Sequence, residues 1–415
     1  MGRAARVAAR QLAFAPTAQK DAALLGIASS LEERQDEVLD ANAADLGAAR
    51  ESGFEEHTQD RLLLNPERMK AMASSVRSIA ALADPIGEVM ESRMVPSGLE
   101  LERRRVPLGV VGVVYESRPN ITVDIASLCL KSGNAVILRG GKEAVRSNGA
   151  LAAIAADAAS AAGLAADCVQ FVRDTDHSLV TEMLGMNDYI DLLIPRGSAE
   201  LVRMVAREAT MPAVTGGIGV CHTYVDAAAD LEMALRIVVN AKAQRPSVCN
   251  ALDTVLVHAD IADAFLPALA REFGAAGVEM RCDRRAWSIL WPAKGGALVR
   301  EATDADWGTE FLALIASVAI VDSLDEGLGH IERYGSGHSE AIVTEDTAAR
   351  ERFLLEVDAA AVFANASTRY NDGAEFGLGA EVAISTDKMH ARGPMGLSEI
   401  TSYKWVIRGN GQVRE

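Results

Sequence analysis

The chain has 415 residues, 49% of them hydrophobic and only 5% aromatic, and its formal net charge is −17. This length exceeds what one hydrophobic core usually supports, so two domains are expected, and the Ala- and Val-rich composition suits helices layered on a parallel sheet. The acidic charge repels phosphate backbones and anionic lipids, which argues against nucleic acid or a membrane surface as a partner.

Helices and then a hairpin are predicted ahead of the first core strand. Helical spacing runs from Arg3 to Arg50 and from Pro66 to Ala83, which predicts helices that cover another layer. The segment 89–106 alternates in character around a Pro-Ser-Gly turn and predicts a β-hairpin. Because a two-stranded ribbon is marginal alone, the hairpin 89–106 and the C-terminal segment 396–415 are predicted to form an oligomerisation element.

A repeated strand–helix unit follows the hairpin. The run from Gly109 to Tyr115 is unbroken and apolar, as is typical of a buried parallel strand. The sequence predicts a doubly wound sheet in a cofactor domain made of residues 1–88 and 107–217. The later elements predicted for it are helices at 122–131, 147–162 and 198–207 and strands at 135–138, 169–172 and 189–194.

The rhythm restarts after residue 217 and predicts a second α/β domain, residues 218–395, with a Gly-rich end at 373–396. The fold class is therefore α/β with two domains and a small oligomerisation element. The elements predicted for the second domain are helices at 232–241 and 261–273 and strands at 254–257 and 313–321.

Cys249 is the predicted reactive thiol. It lies in the segment 244–250, on a loop between a helix and a strand, and loops at strand ends are where reactive groups are placed. A free thiol is only about 3% ionised at neutral pH, so the thiolate needs local stabilisation, for which Arg245 and loop N–H groups are candidates. A buried, inert cysteine is the alternative for any such residue.

The other cysteines fit that alternative to different degrees. Cys129 falls inside an apolar helical pattern, whereas Cys221 stands beside His222 and is the second candidate nucleophile. The chain has no C-x-x-C pair, so neither a disulfide framework nor a metal site is expected, and a reducing cytoplasm fits best. The five cysteines are Cys129, Cys168, Cys221, Cys249 and Cys282.

A dinucleotide, if one binds, must be held without the familiar phosphate motifs. Neither G-x-G-x-x-G between a strand and a helix nor G-x-x-x-x-G-K-[ST] occurs. Gly197 and Ser198 lie where a strand ends and a helix begins, so their N–H groups and the helix dipole are offered to a pyrophosphate. A Gly-Ser turn that merely caps the helix explains the same residues.

Several long strings together resemble the gamma-glutamyl phosphate reductases, a family within the aldehyde dehydrogenase superfamily, over nearly the whole chain. The strings are VPLGVVGVVYESRPNITVDIASLCLKSGNAVILRGGKE (106–143), LIPRG (193–197), TGGIGVCH (215–222), NAKAQRPSVCN (240–250) and NASTRYNDGAEFGLGAEVAISTDKMHARGPMGL (365–397). The resemblance implies an aldehyde dehydrogenase-like fold. It also implies NADPH-dependent reduction of L-glutamyl 5-phosphate to L-glutamate 5-semialdehyde and phosphate, a step of proline biosynthesis.

The resemblance assigns roles at the reacting carbon. Cys249 is expected to form a thioester with the acyl group, and Asn120 to help hold the oxyanion. Hydrolytic relatives carry a Glu immediately before Leu-Gly-Gly, whereas this chain reads Val-Thr-Gly-Gly at 214–217. A reductase gains nothing from a base that would hydrolyse the thioester, so the departure agrees with reduction.

The resemblance also implies the cofactor and substrate contacts. Arg139 and Lys142 follow a strand where superfamily members contact the adenine ribose, and two cations favour the 2′-phosphate of NADPH. Gly216, Gly217 and Glu310 complete the predicted cofactor site. The arginines expected to bind the anionic groups of the substrate are Arg118, Arg245, Arg369 and Arg392, and the acids expected at its ammonium are Asp372 and Glu375.

Other functions remain open at this stage. An NAD-dependent aldehyde oxidiser would use the same fold, and a non-catalytic nucleotide-binding scaffold for a partner kinase would keep it without the chemistry. A homo-oligomer and contact with glutamate 5-kinase are the protein associations expected. His338 matches the resemblance but has no assigned role.

Overall fold

The computed structural model describes residues 1–54, 56–214, 216–293 and 298–414. Its α-helices are α1 (Gly2–Leu12), α2 (Thr17–Glu33), α3 (Gln35–Glu51), α4 (Glu56–Leu62), α5 (Pro66–Ala81), α6 (Asn120–Lys131), α7 (Val145–Ala161), α8 (Ser178–Leu184), α9 (Ala199–Glu208), α10 (Leu231–Ala243), α11 (Ala259–Ala275), α12 (Arg284–Ala293), α13 (Leu324–Tyr334) and α14 (Thr347–Glu356). Short 3-10 helices lie at Lys142–Ala144, Asp304–Asp306 and Thr368–Tyr370.

The strands are β1 (Val89–Met94), β2 (Glu100–Pro107), β3 (Val110–Tyr115), β4 (Ala135–Gly140), β5 (Val169–Phe171), β6 (Leu192–Arg196), β7 (Cys221–Val225), β8 (Leu252–His258), β9 (Glu279–Cys282), β10 (Val299–Glu301), β11 (Ile315–Val321), β12 (Ser339–Val343), β13 (Ala361–Ala364), β14 (Ile384–Ser385), β15 (Gly393–Pro394) and β16 (Thr401–Arg408).

The chain forms two compact units. Unit 1 comprises Met1–Thr215, Gly377–Ala383 and Pro394–Glu415, and unit 2 comprises Gly216–Phe376 and Ile384–Gly393. The roles predicted for the domains, cofactor binding and catalysis, stay predictions. Across the parts of the chain that are described, no helix has both the length and the apolar character needed to cross a membrane.

Unit 1 contains a four-stranded parallel sheet in the order β5-β4-β3-β6. All residues of β3 and β4 are buried, which explains their unbroken apolar runs. The chain proceeds from β3 outwards to β4 and β5 and then crosses to the other side of β3. The strand order therefore reverses between β3 and β6, and ligands of open α/β sheets bind outside the carboxyl ends of strands at such a point. The predicted parallel α/β sheet is confirmed.

One strand boundary was predicted wrongly. The sequence predicted a strand over 189–194, but β6 runs from Leu192 to Arg196. The N–H groups of Tyr189 and Ile190 both donate to the carbonyl of Met186, at 2.8 and 2.9 Å, so these residues close a turn and cannot join the ladder with β3.

The predicted hairpin is confirmed, and it gains a third strand from the same chain. β1 and β2 pair antiparallel, and β16 pairs antiparallel with β2 along its whole length, giving the order β1-β2-β16. Arg103 lies 4.9 Å from the ring centroid of Tyr403, and Arg93 lies 5.6 Å from that of Trp405. The C-terminal segment thus covers one edge of the hairpin, while the role of this sheet in assembly stays a prediction.

Unit 2 is built on a seven-stranded parallel sheet in the order β10-β9-β11-β8-β7-β12-β13. Successive residues of its central strands face separate hydrophobic clusters: Val255 and Val257 lie in one, and Leu256 lies in the other. The sheet is therefore covered on both faces. The predicted helices α10 and α11 and strands β8 and β11 are confirmed, with ends shifted by one or two residues.

Candidate active site

Burial separates the five thiols. Cys249 is half-buried, whereas Cys129, Cys168, Cys221 and Cys282 are buried. Burial raises the pKa of the Cys168 thiol to about 11 and that of Cys282 to about 12. It also raises the pKa of Cys129, and at Cys221 the charge of Glu340 adds to the effect of burial. These four thiols stay protonated at neutral pH, so Cys249 is the thiol best placed to react.

Cys249 lies on the short connection from α10 to β8. Helix α10 ends at Ala243, Gln244 caps it, and the Ala251 N–H donates to the Val248 carbonyl at 3.0 Å to close a tight turn around the thiol. β8 begins directly afterwards at Leu252 and pairs there with Cys221, the first residue of β7. The candidate nucleophile thus lies at the amino end of the two central strands.

Buried side chains hold both carbonyls of this turn. The Cys221 thiol donates to the Cys249 carbonyl at 3.2 Å, and the Thr368 hydroxyl donates to the Asn250 carbonyl at 2.8 Å. The backbone at Gly219 passes so close that a Cβ there would lie 1.5 Å from the Cys249 carbonyl oxygen. The second candidate, Cys221, is therefore a support for the loop that carries Cys249.

His222 has separate partners from its neighbour Cys221. Its backbone N–H donates to Glu340 Oε2 at 2.8 Å, and its Nδ1 lies 3.0 Å from the same oxygen. Glu340 is itself fully buried, and burial raises the pKa of its carboxyl group. The Cys-His pair that made Cys221 a candidate therefore does not act as a pair.

Three of the predicted substrate arginines lie with Cys249 in unit 2. Arg245 is exposed in the same loop, and Arg369 donates through Nε to Gln244 Oε1 at 2.9 Å and through Nη1 to Asn250 Oδ1. Arg392 instead forms an ion pair with Asp358 at 2.7 Å. The fourth, Arg118, is half-buried on the loop before α6 in unit 1.

Glu310 and the glycines at 216 and 217 also lie in unit 2. The Gly219 N–H donates to Glu310 Oε1 at 3.0 Å, which holds this carboxylate next to the chain that enters β7. A Cβ at Gly216 would lie 2.2 Å from the Thr386 backbone nitrogen, so the close approach of that segment favours glycine there. Gly217 has φ 110°, a backbone conformation that favours glycine. Thr215, which precedes them in the motif, lies outside the described residues.

A buried ion pair beneath the loop was missed from the sequence. Lys242 Nζ, in the last turn of α10, lies 3.3 Å from Asp253 Oδ1 in β8, and both side chains are buried. Burial raises the pKa of Asp253 to about 6, an effect that the charge of Lys242 opposes. A lysine in an otherwise apolar helical stretch was the available signal, because such a charge needs a partner when it is buried.

In unit 1, a carboxylate occupies the predicted pyrophosphate position. The Ser198 N–H donates to Glu116 Oε2 at 2.7 Å, and its hydroxyl lies 3.3 Å from Glu116 Oε1. Ser198 Oγ also accepts from the Leu201 N–H at 3.3 Å and so caps α9. A Cβ at Gly197 would lie 2.3 Å from Glu116 Oε2. Helix capping and an anion-accepting helix terminus therefore coexist at Gly197 and Ser198.

Asn120 is the first residue of α6, and a carboxylate one turn along the helix orients its amide. Asn120 Nδ2 donates to Asp124 Oδ2 at 2.9 Å. Burial raises the pKa of Asp124 to about 6, so this carboxyl group is mostly ionised at pH 7. An amide nitrogen carries two hydrogens, and this bond uses one of them.

The two predicted cofactor cations differ in environment. The Arg139 side chain is only 4% exposed, and its guanidinium donates to the carbonyls of Gly140 at 2.9 Å and Thr175 at 3.0 Å. Lys142 is exposed just beyond the carboxyl end of β4. Within the described residues, no group of three or more His, Cys, Asp or Glu side chains is arranged to bind a metal ion.

Comparison with known proteins gives a consistent result. The model of the aldehyde dehydrogenase family matches residues 1–286. The gamma-glutamyl phosphate reductase of Dehalococcoides mccartyi strain 195 is 55% identical over 412 residues, covering 99% of this chain and 97% of the relative.

Solved structures agree with these sequence relatives. The crystal structure of the gamma-glutamyl phosphate reductase of Thermotoga maritima is 44% identical, with a TM-score of 0.95, and covers 100% of this chain and 99% of that one. An acetylating aldehyde dehydrogenase of Geobacillus thermoglucosidasius shares the fold, with a TM-score of 0.72 at 16% identity, over 100% of this chain and 96% of that one.

Proposed function

We propose that this chain, which belongs to the gamma-glutamyl phosphate reductases of the aldehyde dehydrogenase family, reduces L-glutamyl 5-phosphate to L-glutamate 5-semialdehyde and phosphate. This reaction is the second step of proline biosynthesis from glutamate, and we place it in the cytoplasm. The observation that carries the chemistry is Cys249, a half-buried thiol on a fixed loop in a chain whose other four thiols are buried.

Cys249 acts first. Its thiolate attacks the carbonyl carbon of the acyl phosphate, the C–S bond forms, and the C–O bond to phosphate breaks with its electron pair leaving on the phosphate. Asn120 is the proposed donor to the carbonyl oxygen as negative charge develops there. The nicotinamide cofactor used by this family supplies, when bound, the hydride that reduces the thioester. Cys249 then departs as thiolate and the aldehyde is released.

The direction of the chemistry is supported by the residue at position 214. A hydrolytic relative needs a carboxylate there to activate water, and this chain has Val214, which is only 5% exposed. An apolar side chain cannot accept a proton, so position 214 supplies no base that could activate water for hydrolysis of the thioester.

NADPH is the proposed form of the cofactor. The carboxyl ends of β3 and β6 in the unit 1 sheet fit a dinucleotide, because Gly197 and Ser198 present a helix terminus at the point where the strand order reverses. Lys142 is the exposed cation suited to a 2′-phosphate. Arg139 is proposed to shape the same turn from beneath. Gly216, Gly217 and Glu310 are retained as proposed cofactor contacts.

Substrate recognition is proposed for arginines of the matched loops. The substrate carries a phosphate and a carboxylate, and guanidinium groups bind both by paired hydrogen bonds. Arg245 is exposed beside Cys249, and Arg392 would exchange Asp358 for a substrate anion. Arg118 and Arg369 complete the proposed set.

Assembly into a homo-oligomer through the β1-β2-β16 sheet is also proposed. β16 is an edge strand of this sheet and exposes large apolar side chains, among them Trp405 at 42% and Ile407 at 58%. An open edge with such residues is suited to pairing with another chain. Because the acyl phosphate is labile, glutamate 5-kinase is the proposed transient partner that delivers it.

The test is a spectrophotometric assay in the reverse direction, with glutamate 5-semialdehyde, phosphate and NADP⁺. We expect NADPH formation that depends on phosphate. Reduction of the cofactor that is independent of phosphate, with glutamate as product, would instead identify an aldehyde oxidiser. Failure of hydride transfer with every nicotinamide cofactor would leave the scaffold alternative.

A further inference from the structure

The residues on either side of Cys249 converge on one arginine. Gln244 caps the end of α10 and Asn250 immediately follows the thiol, and Arg369 donates to the side-chain oxygens of both. The Nε–Oε1 distance to Gln244 is 2.9 Å. One guanidinium therefore ties together the start and the end of the loop that carries the candidate nucleophile.

The segment that carries Arg369 is in turn fixed to the same loop. Asn250 Nδ2 donates to the Asn371 carbonyl at 2.9 Å, and the Thr368 hydroxyl donates to the Asn250 carbonyl at 2.8 Å. Ser367 Oγ accepts from the Arg369 N–H at 3.3 Å and begins the short helical turn. Thr368 and Asn371 are fully buried, so these bonds are shielded from water.

We propose that Arg369 is a positioning residue for Cys249. Its guanidinium holds the loop in one conformation and places a fixed positive charge beside the thiolate. This inference rests on the proposed function in taking Cys249 as the nucleophile. It is an alternative to the substrate-binding role of Arg369, because two of the five guanidinium N–H donors are already bonded to Gln244 and Asn250.

Arginine suits this position for geometric and electrostatic reasons. Its planar fork reaches two acceptors at once, which a lysine ammonium does with less precision. Burial lowers the pKa of Arg369, while the negative charges of Asp372, Cys249 and Glu375 act in the opposite direction and Arg245 adds to the lowering. An arginine keeps its charge at neutral pH nevertheless, so the charge beside Cys249 is permanent.

The charged and titratable groups around the loop come from several elements. Glu310 is bound by Gly219, the Lys242–Asp253 pair lies beneath the turn, and the Cys221 thiol lies 3.9 Å from His338 Nδ1. The carboxylates oppose ionisation of the thiol, whereas Arg245, Lys242 and Arg369 favour it. Removing Arg369 therefore takes away one of the positive charges that favour the thiolate.

The experiment measures the rate of alkylation of Cys249 by iodoacetamide against pH, read by mass spectrometry of the Cys249 peptide. It needs no substrate. In Arg369→Ala we expect the midpoint to rise by about one pH unit, which makes alkylation at neutral pH about tenfold slower. Arg369→Lys should recover most of the rate. Arg352→Ala is the matched control, because Arg352 is also bonded to two side chains but lies on α14.

Steady-state kinetics supply the second readout. We expect kcat of Arg369→Ala to fall about 10- to 100-fold while KM for the semialdehyde changes less than about threefold. If Arg369→Ala keeps the wild-type alkylation midpoint and kcat but has a raised KM, the proposal is overturned and Arg369 returns to substrate binding.

A variant that keeps the guanidinium covers the case in which Arg369→Ala does not fold. Gln244→Ala removes an exposed side chain whose Oε1 accepts from Arg369 Nε, and it leaves the guanidinium in place. We expect alkylation of Cys249 in this variant to be about two- to threefold slower at neutral pH. An unchanged profile there, with Arg369→Ala unfolded, would also overturn the proposal. If Cys249→Ala retains turnover, the nucleophile assignment fails separately, whatever the alkylation midpoints are.

Discussion

The two parallel sheets place their candidate functional residues at opposite ends of their strands. In unit 1, Ser198 and Lys142 follow the carboxyl ends of β6 and β4, which is where ligands of open α/β sheets bind. In unit 2, Cys249 precedes β8 and lies at its amino end. The same architecture is therefore used in two ways. We call the carboxyl ends of the unit 1 strands the ligand edge and the amino ends of the unit 2 strands the nucleophile edge.

The hydrogen bonds at the two edges differ in kind. At the unit 1 edge, backbone N–H groups of Ser198 and Ser117 are bonded to the half-buried carboxylates of Glu116 and Glu143, which a ligand anion can replace. At the unit 2 edge, the carbonyls of Cys249 and Asn250 are bonded to buried side chains that cannot readily leave. A cofactor site needs groups that exchange partners, and a nucleophile needs a backbone that stays fixed.

The largest effect expected is loss of the unit 2 thiol. Cys249→Ala and Cys249→Ser should lower turnover by at least about 10⁴-fold, because neither side chain provides an accessible anion at neutral pH. Binding of NADPH should persist, since its proposed phosphate contacts belong to unit 1. The measurements are the reverse assay and a fluorescence titration with NADPH.

Cys221→Ala is the matched control for that substitution. It removes the donor to the Cys249 carbonyl but not the reacting sulfur, so we expect only about a 3- to 30-fold loss of turnover. Full activity in Cys249→Ala together with none in Cys221→Ala would reverse the assignment of the nucleophile.

Local patterns were enough to predict the elements that carry both edges. β3, α6 and β4 lie within about two residues of their predicted bounds, because fully buried strands and an apolar helix leave clear runs in the sequence. The partners at the edges come from distant positions. Glu116 reaches a serine 82 residues away, and Thr368 reaches a carbonyl 118 residues away. No local pattern encodes such pairs.

The burial of Arg139 shows the same limit in the predicted cofactor site. The sequence predicted that Arg139 and Lys142 would both contact the 2′-phosphate, but the Arg139 side chain is directed towards the carbonyl of Thr175, 36 residues further on. The sequence therefore did not predict which of these two cations faces solvent.

The second prediction concerns the β1-β2-β16 sheet, which carries none of the residues of the two edges. Deleting residues 402–415 removes nearly all of β16 and re-exposes the edge of β2. We expect a loss of roughly 2–4 kcal/mol in the free energy of unfolding and a shift towards monomer, measured by thermal melting and light scattering. A truncated chain with the same melting temperature and mass distribution would contradict the proposed assembly role.

The third prediction separates the two cations of the ligand edge. Lys142→Ala should weaken NADPH binding by about 1–3 kcal/mol while leaving NADH binding nearly unchanged, because NADH lacks the 2′-phosphate. Arg139→Ala should lower the melting temperature and weaken both cofactors alike, since its side chain supports the turn from inside. Equal losses for both cofactors in Lys142→Ala would remove it from the 2′-phosphate site.

The smallest effect expected, and the most direct test of an exchangeable edge, is at Glu116. Its carboxylate accepts the Ser198 N–H at the start of α9, where a diphosphate is proposed to bind, so cofactor and carboxylate compete for one position. Glu116→Gln keeps the shape and removes the charge. We expect NADPH to bind about 3- to 10-fold more tightly, while the free energy of unfolding of the cofactor-free protein falls by about 0.3–1 kcal/mol because a negative charge at a helix N-terminus is stabilising.

Glu200→Gln is the matched control, since Glu200 lies in the first turn of the same helix and is exposed. Its loss should lower stability by a similar amount with less than about a twofold change in NADPH affinity. Opposite signs for stability and affinity at position 116 alone are the signature of exchange, and weaker NADPH binding in Glu116→Gln would instead make this carboxylate part of the cofactor site.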